Sequence, residues 1–175
     1  MCSPGDKYIP FLIKAGCDPE VIAHCLVVRD VAVQITTDLL NAGISIDLDL
    51  VAAGAVLHDI GRSQTHGMDH ADAGGIICRN LGFDDKICGI VENHIGAGLS
   101  AEERVTYGLL AVDRIPKTLE EKIVAHADNM VKGKREINRQ EFLASLDKFP
   151  EEIRTRFLAI ADELEMLKGE GKVGV

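Results

Sequence analysis

From Val21 the apolar residues of this chain recur at steps of four and three: Val21, Cys25, Val28, Ala32, Ile35, Leu39. An α-helix puts residues at that spacing on one face. Similar patterning marks most of the chain, and no stretch alternates cleanly with period two, so helices are expected and strands are not. The core chemistry agrees. Apolar residues make up 46% of the 175, but aromatics only 4%, with no tryptophan. A core built from Leu, Ile, Val and Ala suits packed helices. The expectation is an all-α fold: a compact single-domain bundle of about seven to nine helices over residues 1–168, with a disordered tail at 169–175.

Local signals set the boundaries. A first helix is read over residues 5–15, stopped by Gly16. Asp18 is expected as the N-cap and Pro19 as the first-turn residue of a long helix ending near Asn41-Ala42-Gly43. Asp47 to Leu57 reads as a third helix and Gly61 to Gly67 as a loop. Asp69 is expected to cap a helix to Asn80, and another follows from Asp84 to His94. Ser100 with Glu103 and Thr118 with Glu121 have the spacing of capping boxes. The Thr118 helix is read from Leu119 to Val131, before a charged loop over 132–138. Two last helices fit 139–147 and 151–168.

The net charge is −9, and the densest basic stretch is only Lys132-Gly133-Lys134-Arg135. Extended nucleic-acid binding needs clustered cations and is not expected. No uncharged apolar run is long enough for a membrane span. The five cysteines are odd in number and form no C-x-x-C pair. Cys25, Cys78 and Cys88 read as small buried hydrophobes, and a reducing cytoplasm is the expected compartment.

The chemistry concentrates in six titratable residues. His58 and Asp59 end the apolar run Val51-Ala-Ala-Gly-Ala-Val-Leu57, and Ile60-Gly61-Arg62 follows at once. His94 follows Ile87, Ile90 and Val91 on one helical face, and Asp128 shares a face with Val124 and Val131. His70 precedes the small residues Ala73 and Gly74, and His24 precedes Val28 and Val31. All six therefore point inward. Buried carboxylates without partners are costly. Divalent cations are the simplest way to make such a cluster tolerable, and a mixed imidazole and carboxylate set suits Fe, Mn, Co, Ni or Zn better than Mg or Ca.

Over about residues 18–135 the chain resembles the HD superfamily of metal-dependent phosphohydrolases. The likeness is strongest around Gly54-Ala-Val-Leu-His58-Asp59-Ile60-Gly61-Arg62. It implies that His24, the His58-Asp59 doublet and Asp128 form a one-metal site. His70 and His94 look like the extra histidines of the two-metal subgroup, in which the doublet aspartate bridges the ions. The chain is most similar to small archaeal and bacterial HDIG-type proteins. It has no Gly-Tyr-Pro tripeptide, which sets it apart from the cyclic-dinucleotide phosphodiesterases bearing that motif.

The resemblance implies hydrolysis of a phosphate ester or phosphoanhydride, with a nucleotide or related small phosphorylated compound as substrate. One or two divalent ions would lower the pKa of water enough to supply hydroxide. Asp59, Arg62 and His66 are the expected catalytic residues: Asp59 as bridge, Arg62 as the cation facing the phosphoryl charge, and His66 as substrate contact or acid. Lys117 and Arg114 are second choices as cations. Asp72 and Glu92 are candidates to orient a histidine's second nitrogen. His126 is expected on a solvated face or behind the ligands. The pocket is expected between the loops at 61–68, 95–104 and 105–117, in a monomer or homodimer. A di-iron oxygenase on the same ligands and a non-catalytic nucleotide- or metal-binding module are the competing readings.

Overall fold

The structure, a computed structural model, describes residues 3–170. It opens with a 3₁₀ turn at Asp6–Tyr8, then α1 (Ile9–Ala15), α2 (Pro19–Asn41) and α3 (Leu48–Leu57). A second 3₁₀ turn, Ile60–Ser63, leads to α4 (His70–Asn80), α5 (Asp85–Asn93) and α6 (Ala101–Thr106). After an irregular segment come α7 (Leu119–Asn129), the strands β1 (Val131–Lys132) and β2 (Arg135–Glu136), α8 (Arg139–Ser145), a 3₁₀ turn at Leu146–Lys148, and α9 (Glu151–Glu170). The all-α expectation holds.

α3 is the centre of the bundle. From Leu50 onward its sequence, LVAAGAVL, is apolar on every side, and Val51, Ala52, Ala53, Ala55, Val56 and Leu57 have no solvent exposure. A helix apolar all round has to be covered on all sides. One core, against α2, α7 and α9, takes Val51 and Ala55 with Val28, Leu39, Ile123, Val124 and Leu164. A second, toward α1, α4 and α5, takes Ala53, Val56 and Leu57 with Leu12, Cys78 and Val91. Full burial of Val51, Val56 or Leu57 is worth about 1.5–3 kcal/mol each. The helix is therefore a stiff post, and the His58-Asp59 doublet sits at its end.

Close approaches fix what surrounds that end. A Cβ on Gly54 would meet Ile90 of α5 at 2.5 Å. A Cβ on Gly61 would overlap the His70 carbonyl oxygen and lie 2.5 Å from the Gly74 amide nitrogen. Backbone therefore touches backbone where the doublet turn meets α4, and His70 is drawn against Asp59.

The helix starts follow the sequence in most places. Asp47 and Asp84 cap α3 and α5, and Ser100 and Thr118 form full capping boxes. Asn138 forms a third with Glu141, which the sequence reading did not include. Two expected caps differ. Asp18 makes no side-chain cap bond, although Pro19 opens α2 as expected. Asp69 accepts instead from the Thr65 hydroxyl at 2.9 Å, bracing the loop before α4. The loop expected from Gly61 begins with a 3₁₀ turn, and α7 ends at Asn129 rather than Val131. The charged stretch after it is a two-strand antiparallel hairpin, pairing Val131 with Glu136 and Lys132 with Arg135. Two residues per strand are too short to show alternation. α9 runs to Glu170, so residues 169 and 170 are helical; the rest of the expected tail, 171–175, lies outside the described residues.

Candidate metal centre

Five helices deliver the six residues. His24 comes from the first half of α2, and His58 and Asp59 from the end of α3. His70 is the first residue of α4, His94 the residue after α5, and Asp128 lies in the last turn of α7. The structure brings all of them together. Asp59 is central. Its Oδ1 lies 3.2 Å from His70 Nε2 and 3.5 Å from His94 Nε2. Its Oδ2 lies 3.7 Å from His58 Nε2 and 4.0 Å from His24 Nε2. Asp128 Oδ1 closes the second side, 3.0 Å from His24 Nε2 and 3.6 Å from His58 Nε2. One carboxylate therefore faces two histidine pairs with its two oxygens.

The second ring nitrogens decide the chemistry. His58 Nδ1 lies 2.8 Å from the Ala55 carbonyl, His94 Nδ1 2.7 Å from Val91, His70 Nδ1 2.7 Å from Gly67 and His24 Nδ1 2.7 Å from Gly133. A carbonyl oxygen only accepts, so each Nδ1 must carry the proton and donate it. A neutral ring then presents a bare Nε2 lone pair to the centre. His70 and His94 point theirs at one another across 3.1 Å. Buried His58 Nε2 and Asp59 Oδ1 have no hydrogen-bond partner. Lone pairs aimed at lone pairs are repulsive, and orphaned buried acceptors are costly.

A divalent cation removes both problems. Two donors each about 2.1 Å from one ion stand roughly 3.0–3.4 Å apart at octahedral to tetrahedral angles. The His70–His94, His70–Asp59 and His24–Asp128 separations fall in that range. Three groups of ligand atoms lie within 4.8 Å of one another: His24/His58/Asp59, His58/His94/Asp128 and Asp59/His70/His94. The residues fit one or two transition-metal ions. Burial alone would push the Asp59 carboxyl up, but positive charge among His58, His70 and His94, carried by a second ring proton or by an ion in its place, holds it well below the usual carboxylate range. Asp128 is likewise held down, against its burial, by His24 and His58.

Exposure is graded across the cluster. His58, His94, His70 and Asp59 side chains are at most 6% exposed, whereas His24 reaches 17% and Asp128 23%. The centre thus opens on the Asp128 side. A pocket of about 340 Å³ adjoins it there, with Asp128 in its wall. As expected, Met68, residues 95–99 and Tyr107 contribute to it. The sequence reading missed its far wall, built from β1, α8 and α9.

Several secondary expectations need correction. Arg62 is at the site, but its Nε donates to Asp59 Oδ2 at 2.7 Å, so one face of the guanidinium is already engaged. Arg114 does not face the centre as a free cation: it grips Glu92 with both terminal nitrogens, at 2.7 and 3.1 Å. Glu92 and Asp72 orient no ring. Glu92 accepts from Arg79 and Arg114, and Asp72 from Arg104 at 2.6 Å, while backbone carbonyls hold the imidazoles. His126 is half-buried, packed edge-on against Phe142 at 5.4 Å, and burial pulls it down to about 4. His66 is exposed on the loop before α4, and Lys117 is exposed before α7. Cys17, Cys25, Cys78 and Cys88 are free and buried, and Cys2 lies outside the described residues. No helix among the described residues is long and apolar enough to cross a membrane.

The chain is 44% identical over 137 residues to an uncharacterized protein of Methanocaldococcus jannaschii, covering 78% of this chain and 81% of that one. It is also 44% identical to parts of two tRNA (cytidine(56)-2'-O)-methyltransferases, from Thermoplasma volcanium and Picrophilus torridus. There the matches take in 76% and 78% of this chain but only 38% and 41% of the methyltransferases. The HD domain of the phosphodiesterase PgpH from L. monocytogenes has the same fold, with a TM-score of 0.60 at 17% identity over 95% of both chains. Its complex with cyclic-di-AMP gives 0.61 at 15% identity, over 94% of this chain and 93% of that one. The HD domain family model matches residues 21–167, which reaches past the ligand helices into α9; the chain belongs to the HD-domain family.

Proposed function

We propose that this chain is a metal-dependent phosphohydrolase acting on a small phosphate ester, a nucleotide or a close relative. The observation that carries the reading is Asp59 set between two histidine pairs, every ring held by a main-chain carbonyl with its Nε2 turned inward. Bound ions would supply an activated water and positive charge against the phosphoryl oxygens. The chain's own residues do the rest. Asp59 and Asp128 hold their negative charge in the centre, which keeps cations there. Arg62 keeps Asp59 in place through Nε and turns its remaining N–H groups to a phosphoryl oxygen, where equatorial charge develops. His66, exposed on the adjoining loop, is the candidate to return a proton to the leaving oxygen. The cyclic-di-AMP complex of the PgpH HD domain supports a nucleotide ligand. The absent Gly-Tyr-Pro tripeptide argues against a cyclic dinucleotide as the substrate here.

The test is phosphate release from a panel of phosphate esters, mononucleotides and dinucleoside polyphosphates, with each of the five metals. His58→Ala and Asp59→Ala should each abolish metal-dependent turnover and leave far-UV circular dichroism unchanged. Full activity in both variants would end the reading. The methyltransferase relatives favour one alternative, a nucleotide- and metal-binding module that serves a larger RNA-modifying polypeptide. Nucleotide-dependent stabilisation with no turnover on any ester would select it.

A further inference from the structure

This chain is poor in aromatic residues: five phenylalanines, two tyrosines and no tryptophan. Four of them, Tyr107, Phe142, Phe149 and Phe157, line a pocket that has Asp128 in its wall. Phe149 and Phe157 stack at 5.2 Å between centroids and 26° between planes. Phe142 and Phe157 are core residues, but Phe149 is only half-buried and Tyr107 is 53% exposed. Lys132 and Lys148 are exposed and line the same pocket, and Lys148 Nζ lies 5.0 Å from the Phe149 ring centroid. In a chain of net charge −9, an apolar, aromatic cavity edged by two lysines is a local exception.

Resting on the hydrolase reading above, the geometry points to this pocket as the subsite for the organic half of the substrate: a nucleoside, its base against Phe149 and Tyr107. Asp128 belongs to both the metal cluster and the pocket wall, so a phosphorus atom at the cluster carries its ester group directly into the pocket. The volume of about 340 Å³ lies at the small end of the roughly 300–1,000 Å³ typical of ligand pockets. That suits one nucleoside rather than a dinucleotide. Flat rings stack on aromatic faces whatever their hydrogen-bond pattern, and the ammonium groups of Lys132 and Lys148 favour an anionic compound entering past them.

Two measurements on the full chain test this. Adenosine, which has no phosphate, is titrated calorimetrically into the wild type, Phe149→Ala and Tyr107→Ala. Turnover of adenosine 5'-monophosphate and of glycerol 3-phosphate, which has no ring, is then compared in the metal-loaded proteins. Adenosine should bind the wild type. Each substitution should weaken that binding roughly 5- to 150-fold, the range for loss of one stacking partner, and raise KM for the nucleotide in step. The wild type should prefer the nucleotide over the ring-free ester by a similar factor in kcat/KM. Should Phe149→Ala fail to fold, Tyr107→Ala, at an exposed position, carries the test alone. The subsite is overturned if adenosine does not bind, or binds folded variants as tightly as the wild type, or if both esters turn over with equal kcat/KM. Adenosine binding that the substitutions weaken, with no hydrolysis of any ester, would leave the subsite standing and remove the hydrolase reading.

Discussion

Gly61→Ala should damage both the stability and the metal stoichiometry of this protein. The added Cβ would overlap the His70 carbonyl oxygen and stand 2.5 Å from the Gly74 amide nitrogen. Real Cβ contacts essentially never fall under 3.0 Å, and both obstacles are backbone, so the start of α4 must retreat by on the order of 1 Å. Overpacking of that kind costs about 1–3 kcal/mol. For a chain of this size that is a fall in Tm of roughly 3–10 °C. The displaced residue is His70, whose Nε2 lies 3.2 Å from Asp59 Oδ1. Metal–ligand distances tolerate only about 0.2 Å, so the Asp59/His70/His94 group should lose an ion or bind it 10- to 100-fold more weakly. The atoms nearest the added methyl belong to His70 and Gly74, so the His24/His58/Asp128 side should keep its own ion. Scanning calorimetry and elemental analysis of the purified variant read the two effects separately. Gly169→Ala, in α9 where a Cβ meets nothing within 4 Å, is the control: it should leave the metal content unchanged and, as a better helix former, should not lower Tm. A Gly61→Ala protein with the wild-type Tm and full metal content would refute the argument that backbone contact sets the His70 position.

Other expectations follow from the same geometry. Chelation of the metal should lower Tm by about 5–10 °C if the ion is present at about a hundred times its Kd, which is worth about 2.7 kcal/mol; equal melting curves with and without chelator would exclude a bound ion. Glu92→Gln removes the negative charge facing two arginines, Arg79 and Arg114, and turns one of its two accepting oxygens into a donor, at a position only 5% exposed; it should cost about 1–3 kcal/mol by denaturant unfolding, the partly exposed arginines softening the loss. Burial pushes the Cys17 thiol up to about 11 and Cys78 up to about 12, from an ordinary 9.0. Both should resist alkylation at pH 8 in the folded protein. Because the folded state holds these protons longer than the unfolded chain, stability should fall as pH rises from about 9 to about 11, and a flat profile there would contradict the burial argument.

Much of the centre was legible because each ligand sits on the apolar face of its helix. His94 behind Ile90 and Val91, or Asp128 between Val124 and Val131, is placed by periodicity alone. Helix caps were readable where a short polar side chain has its partner three residues on, as at Ser100 and Thr118. What was not legible is whatever depends on main-chain atoms or distant partners. Asp72 and Glu92 looked like supports for the rings because they neighbour His70 and His94 in sequence; arginines from elsewhere take them instead. The actual supports left a trace in the boundaries. His58 and His94 follow directly on their helices, where the last carbonyls lack intrahelical partners, and each ring bonds the carbonyl three residues back. The hairpin turn at Gly133 left no such trace, since its bond to His24 spans 109 positions. The far wall of the pocket was hidden for the same reason: α8 and α9 carry no motif, and only packing shows where Phe149 lies.

Because the protons that fix the four rings rest on peptide oxygens, the histidine ligands have no side-chain support through which ordinary substitution could retune them. Descendants of this chain are free to redecorate the neighbouring helices, or to exchange the far wall of the pocket, without re-evolving the hold on those rings. One inherited frame could in this way open onto many different cavities.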